Sequence, residues 1–495
     1  MPLPFRTLRR SDLRGLRVTV MGLGLHGGGI ATARFLAMAG AELTVTDMKG
    51  EEDLADSVAA LEGLPIRFVL GRHDIEDFSS ADIVVKNPAV RPDSPYVLAA
   101  KAIETDVSLF LRFCESPILA VTGSKGKSTV ATALHHGLVV AGKKAFLGGN
   151  ITVSPLAFLD ETSPDSPVVL ELSSWQLADM RGQGVLKPKI AVLTSIMPDH
   201  MNRYSSMEEY VADKRLIYAD QDGDCYTVLN RDDLWSPLFA AETKARVAWY
   251  AESRESARGG EETQDGIASE ALAWLEDRTE AVRRGRRGRC ILPRSDSSGG
   301  DDDSATRIED ILPERLLVPG GHQRKNLLGA ALALRLFGIE AGAIREAMGS
   351  FTGVEHRLEP FVEKDGIVWY NDSAATIPQA VAAALESFDD PLILITGGTD
   401  KNLDFEPVHG VYARAKAIIL LAGTGTDKLI SWLDRDGTPY LGPFDDLETA
   451  VRTAAALAVE GDRVLLSPGC ASFGMFLHEF DRGRKFKETV RRLLG

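Results

Sequence analysis

Short apolar runs recur along the chain, each closed by a glycine or an acid and followed by a stretch with helical spacing. Leu16–Met21, Glu42–Thr46, Ile66–Leu70 and Ile83–Lys86 form a first series; Ile118–Ala120, Val168–Leu170 and Ile190–Thr194 a second; Ile367–Tyr370, Leu392–Thr396, Ala417–Leu421 and Arg463–Ser467 a third. Runs of this length between turn residues predict buried strands, and the segments from Gly28 to Ala39, Val130 to Leu134 and Ser206 to Ala219 predict helices. Strands alternating with helices build parallel sheets covered on both faces, so the pattern predicts an α/β protein of three domains, 1–111, 112–353 and 354–495. The rhythm breaks over 251–307, where Gly259–Glu262, an arginine cluster from Arg283 to Arg289 and the polar run Ser295–Asp303 suggest a partly disordered insertion. A short helix around Ala271–Arg283 is expected there, with the arginines in a solvated loop.

Length supports that division, since 495 residues exceed what one core organises. A net charge of −15, from 71 acidic and 56 basic residues, disfavours a nucleic-acid or anionic-membrane binder, which needs a positive field. The four cysteines, Cys114, Cys225, Cys290 and Cys470, are scattered and suggest neither a zinc site nor a disulfide framework, which fits a reduced, cytoplasmic setting. Arginines at 6, 9, 10, 14 and 17 precede Val18–Met21, an apolar stretch too short for a secretory leader, and no membrane span is expected.

Two glycine-rich loops carry the first chemistry. Val121–Thr129 reads V-T-G-S-K-G-K-S-T between a strand and a helix. Gly123 and Gly126 allow the backbone to turn its amides inward along Ser124 and Lys125, Lys127 reaches β/γ-phosphates, and Ser128 or Thr129 offers a hydroxyl to Mg²⁺. The spacing is tighter than G-x-x-x-x-G-K-S/T, whose first glycine falls on Val121. This makes the central domain a P-loop ATPase-type unit. Near the N-terminus, Gly22, Gly24 and Gly27 satisfy G-x-G-x-x-G, and Asp47 lies twenty residues further on, where an acid meets a ribose hydroxyl. That signature makes the first domain Rossmann-like but leaves the nucleotide open between a dinucleotide and a nucleoside-diphosphate sugar. The third domain, with the same strand-helix rhythm, is also Rossmann-like.

Other candidates sit where strands end. Glu171 follows Val168–Leu170 and suits a hard cation such as Mg²⁺. His200 follows Thr194 within Pro198–Tyr204 as a metal ligand or hydrogen-bond donor, and Lys214 occupies a helix. Gly397–Lys401 and Ser467–Ser472 offer backbone donors with a cation or hydroxyl, while His356-Arg357 and Tyr370–Ser373 add a guanidinium and a carboxylate.

Taken in order, T-G-S-K-G-K-S-T at 122–129, G-G-N-I at 148–151, L-E-L-S-S-W-Q-L at 170–177, D-H-M-N-R-Y at 199–204, A-D-K-R-L-I-Y at 212–218, G-H-Q-R-K-N at 321–326, E-H-R-L-E at 355–359, N-D-S-A-A-T at 371–376, G-G-T-D-K at 397–401 and S-P-G-C-A-S-F at 467–473 resemble the Mur ligase family. The resemblance runs almost end to end and is strongest to the members that add D-glutamate to UDP-N-acetylmuramoyl-L-alanine. It implies an ATP-dependent, ADP-forming ligase of peptidoglycan precursor synthesis, hence of cell-wall biogenesis, cell shape and division, working through an acyl phosphate. By that likeness Lys127 and Ser128 serve ATP and one Mg²⁺ with Glu171 in the metal shell, and Asn150 and His200 lie near a second metal and the substrate. Lys214 carries CO₂ as a carbamate, an anionic oxygen ligand in place of an ammonium that two cations would repel. Asn326, Arg357 and Asp372 contact ATP; Thr376, Lys401 and Ser472 hold the amino acid; Leu25, His26 and Asp47 bind UDP. The same likeness implies a cytoplasmic monomer acting on small molecules, with hinges near 111 and 353 about which the third domain closes.

Two positions depart from the family. Ala374 stands where many members have lysine, and Gln323 where asparagine is usual, which keeps L-glutamate or another amino acid open as the one added. Outside the family stand an NAD-dependent oxidoreductase, supported by Gly22, Gly24, Gly27 and Asp47, and a nucleotide-sensing protein with a degenerate site. The first leaves the phosphate loop unexplained; the second leaves Lys127, Glu171, His200 and Lys214 without a purpose.

Overall fold

A computed structural model describes residues 8–24, 27–151, 153–199, 203–258, 271–277, 286–292, 308–388, 390–401 and 403–495. Three sheets follow one another along the chain. The first holds β1 (Arg17–Met21), β2 (Glu42–Asp47), β3 (Ile66–Leu70), β4 (Ile83–Lys86) and β5 (Ile103–Glu104), all parallel in the order β3-β2-β1-β4-β5. Order reverses at β1, so the loop after it opens into the crevice where open α/β sheets bind ligands.

The second sheet contains β6 (Ile118–Thr122), β7 (Phe146–Gly149), β8 (Val168–Glu171), β9 (Ile190–Leu193), β10 (Tyr226–Asn230), β11 (Arg246–Ala251), β12 (Ala271–Asp277), β13 (Arg286–Ile291) and β14 (Glu309–Leu312). Its order is β14-β13-β12-β11-β10-β9-β6-β8-β7, parallel from β7 to β12 and antiparallel at β12-β13-β14. Strands β6, β8 and β9 are buried at every position, as uninterrupted apolar runs covered on both faces must be. The register Val121↔Glu171 and Thr122↔Leu193 sets their carboxyl ends side by side.

The third sheet holds β15 (Glu359–Lys364), β16 (Ile367–Asn371), β17 (Leu392–Thr396), β18 (Ala417–Leu421), β19 (Leu441–Phe444) and β20 (Arg463–Leu466), ordered β15-β16-β20-β17-β18-β19. Only the β15-β16 pair is antiparallel. The insertion of β20 between β16 and β17 gathers the loops after Asn371, Thr396 and Leu466 at one edge.

These α/β domains group into two compact units, one made of the residues up to Glu314 with Lys325–Met348, the other of Arg315–Arg324 with Gly349–Gly495. One apolar core runs through both sheets of the first unit, from Val18, Val20 and Val45 to Leu170, Leu193 and Leu229. The hinge expected near 111 is therefore not a linker. Residue 111 lies within the helix Asp106–Phe113, whose Val107, Leu109 and Phe110 are buried in that shared core, and Phe110 packs edge-on against Phe158 at 5.6 Å between centroids. Two buried ion pairs reinforce it: Arg112 to Glu104 at 2.8 Å and Lys86 to Asp179 at 2.7 Å. Near 353 the chain does change units, between Met348 and Gly349, and it crosses twice more around Arg315–Arg324.

The 251–307 segment corrects a second expectation. Ala271–Asp277 is not helical; it is β12, parallel to β11 and antiparallel to β13. Ala271, Leu272 and Ala273 are good helix formers, and the open edge of β11 overrides that preference by burying Ala271, Ala273 and Trp274. Arg286, Arg287 and Arg289 stand on β13, not in a solvated loop. Arg287 pairs with Glu276 at 2.7 Å, and Arg289 with Glu276 at 3.0 Å and Asp310 at 3.2 Å, so opposite charges across the ladder neutralise the cluster. The stretches 259–270, 278–285 and 293–307, on which the expectation of disorder also falls, lie outside the described residues. Among the described residues no helix is long and apolar enough to cross a membrane.

Candidate active site

At the end of β6 the chain turns through Gly123, at φ +148°, and Gly126, at φ +89°, before the helix Lys127–Val140. Neither glycine is replaceable without movement. A Cβ on Gly123 would stand 1.9 Å from Thr194 Oγ1, and one on Gly126 2.5 Å from Asn326 Oδ1. The helix Gly321–Leu336 thus lays Asn326 against the loop.

Two amides of the loop are committed internally. Ser124 and Lys125 both donate N–H to Ser195 O, at 2.7 and 3.4 Å. The Ser124 side chain is buried as well; its Oγ donates to Met197 O at 2.8 Å and lies 3.0 Å from Tyr210 Oη. The Ser124 hydroxyl therefore turns inward and shapes the loop. Lys127, Ser128 and Thr129 begin the helix at the sheet's carboxyl edge, where the positive end of the helix dipole favours anions.

Lys127 Nζ donates to Gly123 O at 3.0 Å and Ser124 O at 3.1 Å, and Lys214 Nζ donates to Gly123 O at 2.7 Å. Two cations share one carbonyl. Lys214 is 1 % exposed and lies 4.6 Å above the Tyr210 ring. Burial, aided by the charge of Lys127, brings its pKa down to about 7, against the opposing pull of Asp199, Asp213 and Glu171. At pH 7 the amine is then divided about equally between its charged and neutral forms. Asp199 carries no signal of its own beside His200 in the sequence; only the fold brings its charge near the buried Lys214.

Glu171 ends β8 beside this pair and is 1 % exposed. Its Oε1 accepts from Asn150 Nδ2 at 3.0 Å, and Asn150 N–H donates to Glu171 O at 2.8 Å, so two residues expected beside different metals are in contact. Oε2 is buried and, among the described residues, makes no hydrogen bond. A carboxylate oxygen in that position is costly unless a cation answers it, so the donor set fits a hard divalent ion. His200 lies outside the described residues, as do Leu25 and His26. Asp47, at the first glycine loop, accepts from Gly24 N at 3.0 Å and Lys49 N at 2.9 Å.

In the second unit, Asp372 follows β16 and is buried; its Oδ1 accepts from Leu358 N at 3.1 Å and its Oδ2 from Ser467 Oγ at 2.7 Å. Burial pushes its pKa up to about 7, with Ser467 and the Leu358 amide opposing the shift. Arg357 is exposed between His356 and Leu358, which hold φ of +64° and +44°, a turn that non-glycine residues adopt only under constraint. Lys401 Nζ donates to Thr376 Oγ1 at 3.1 Å, joining two residues predicted for one ligand. Ser472 lies on the neighbouring loop, tied to theirs by Thr399 N to Ala471 O at 2.9 Å and Ala471 N to Thr399 O at 3.1 Å. Arg482, buried behind these loops, gave no signal in the sequence beyond an arginine in a charged helix.

Comparison with known proteins agrees with this arrangement. Residues 16–108 match the family model "Mur ligase MurD-like, N-terminal domain", 121–284 "Mur ligase middle domain", and 356–470 "Mur ligase, glutamate ligase domain". The UDP-N-acetylmuramoylalanine--D-glutamate ligase of Roseiflexus sp. is 43% identical over 492 residues, covering 97% of this chain and 99% of that protein. That of Treponema pallidum is 41% identical, covering 97% and 98%. Among solved structures, the UDP-N-acetylmuramate-alanine ligase of Thermotoga maritima shares the fold with a TM-score of 0.56 at 19% identity, covering 97% of this chain and all of that one.

Proposed function

The chain belongs to the Mur ligase family, and on that premise we propose how its residues carry out the ADP-forming addition of D-glutamate to UDP-N-acetylmuramoyl-L-alanine in peptidoglycan precursor synthesis. One observation carries the assignment of roles: Lys127, Lys214 and Glu171 converge at the ends of β6 and β8, with Lys127 and Lys214 on the same carbonyl.

A carboxylate is a poor electrophile, so the alanyl carboxylate first attacks the γ-phosphorus of ATP and ADP leaves. The amine of D-glutamate then adds to the acyl carbon, the C–O bond to phosphate breaks with its electron pair, and the nitrogen gives up a proton. Lys127 holds the phosphates and offsets charge that builds on them as the γ-group transfers. Bound Mg²⁺ supplies further neutralisation of the phosphate oxygens; Ser128 and Glu171 would hold one ion, and His200 with Lys214 a second. Because burial lowers the Lys214 pKa to about 7, a substantial share of the amine is neutral at pH 7 and can add to CO₂ and lose a proton, giving a carbamate that exchanges a repelled ammonium for an anionic oxygen. Asn150 orients Glu171 through its amide and its own backbone. Leu25, His26 and Asp47 take the UDP group, Asn326, Arg357 and Asp372 the nucleotide of ATP, and Thr376, Lys401 and Ser472 the incoming amino acid. With Ala374 lacking a cation, Lys401 provides the positive charge for the glutamate carboxylates. The protein works in the cytoplasm as a monomer.

Phosphate release from ATP with UDP-N-acetylmuramoyl-L-alanine is expected with D-glutamate and not with L-glutamate or without amino acid. The carbamate is tested separately by Lys214→Ala, in which added acetate or formate should restore part of the lost turnover; no recovery with any short carboxylate would remove that role.

A further inference from the structure

A buried cation with no place in phosphate or metal binding ties the C-terminal loops together. Arg482, on the helix Glu479–Leu494, is 1 % exposed. Its Nε donates to Ser373 Oγ at 3.0 Å, its Nη2 to Ser373 O at 2.9 Å and its Nη1 to Cys470 O at 3.1 Å. Ser373 Oγ in turn donates to Glu479 O at 2.6 Å, closing the connection back to the start of the same helix. Gly398 lies against the fork, since a Cβ there would stand 3.6 Å from Nη1. Among the described residues Arg482 makes no ion pair, and burial lowers its pKa to about 10.

Burying a guanidinium is costly, and a helix that needed only to pack would do so with an apolar side chain. Here the compensation consists of three bonds to acceptors on two loops, and those loops carry the amino-acid residues of the preceding section. Ser373 follows Asp372 and stands three residues before Thr376; Cys470 stands two before Ser472; Gly398 opens the stretch that ends at Lys401. The planar fork of arginine is suited to fixing two separate carbonyls at once, which a lysine point charge does not do.

We propose that Arg482 is a positioning residue for amino-acid addition: its guanidinium locks the 371–376 and 467–473 segments together so that Thr376, Lys401 and Ser472 meet D-glutamate in one arrangement. The proposal rests on the assignment of those three residues to the amino acid. Its test is steady-state kinetics of Arg482→Met, which conserves much of the volume, and of Arg482→Lys, with ATP saturating and each other substrate varied in turn. Loss of charged hydrogen bonds predicts a rise of about tenfold or more in KM for D-glutamate in Arg482→Met, a smaller rise in Arg482→Lys, and a KM for UDP-N-acetylmuramoyl-L-alanine that stays within about twofold. An unchanged KM for D-glutamate beside a lowered Tm would overturn the role and leave a structural one, and so would an equal rise in both KM values. Should Arg482→Met not fold, Arg482→Lys carries the same test. Wild-type protein assayed alongside separates the two levels: absence of D-glutamate-dependent phosphate release there defeats the site assignment, whereas normal wild-type release with unaltered variants defeats only Arg482.

Discussion

After β1 the chain turns through Gly22, Gly24 and Gly27 into the helix Gly28–Met38; after β6 it turns through Gly123 and Gly126 into the helix Lys127–Val140. The glycines that begin those helices, Gly27 and Gly126, hold φ of +84° and +89° with ψ of −18° and −10°. Their side-chain surroundings are opposite. At the first loop Asp47 accepts the Gly24 amide at 3.0 Å, and no lysine occurs between Gly22 and Gly27. At the second, Lys127 and Lys214 converge on Gly123 O. A carboxylate at the mouth repels a triphosphate and suits a ribose hydroxyl, whereas two cations invite phosphate. Glycine spacing therefore specifies how closely a backbone lets a ligand approach, and the charge beside it specifies which ligand. G-x-G-x-x-G with Asp47 fits the ribose of a dinucleotide and of a nucleoside-diphosphate sugar alike, and excludes neither.

The largest effect that would break the comparison is at Lys127. Lys127→Ala should lower kcat for phosphate release by about 10³-fold or more, through lost stabilisation of transferring phosphate, and appreciable residual turnover would defeat the contrast between the loops. Next come the glycines. In Gly126→Ala a left-handed residue costs about 1–2 kcal/mol, and its Cβ must also displace Asn326 from 2.5 Å, so KM for ATP should rise about tenfold or more. Gly24→Ala carries the same backbone cost at φ +66° but meets nothing within 4 Å, so a small loss of Tm with an unaltered KM for ATP is expected. An equal rise in both variants would mean that the loops share a ligand. The smallest effect is Asp47→Asn, which keeps an acceptor for Gly24 N but weakens a charge-assisted contact; KM for the UDP substrate should rise by about threefold to tenfold, with that for ATP constant, as measured in the same assay.

The strand-helix alternation, both glycine loops and Glu171 at the end of β8 were readable because each rests on local pattern: an apolar run, a turn residue, a motif of a few positions; Lys401 and Thr376 were grouped only through the family resemblance. Arg482 was not, since its three bonds reach Ser373 and Cys470, 109 and 12 residues away, and nothing in E-F-D-R-G distinguishes a buried arginine from a solvated one. The same limit explains β12. Ala271–Asp277 is short and weakly patterned, and the edge of β11 chose strand over helix.

By itself the sequence determined that this is an α/β protein with a phosphate loop and which side chains carry its charge, because backbone conformation and strand burial are governed by neighbours in the chain. The tertiary structure decided what those side chains experience. Lys214 has its pKa lowered to about 7 by burial beside Lys127, Glu171 keeps a buried oxygen that makes no hydrogen bond among the described residues, and Ser124 turns inward because Met197 and Tyr210 meet it. Desolvation and the placement of charges from distant segments set those properties, and neither is a local quantity.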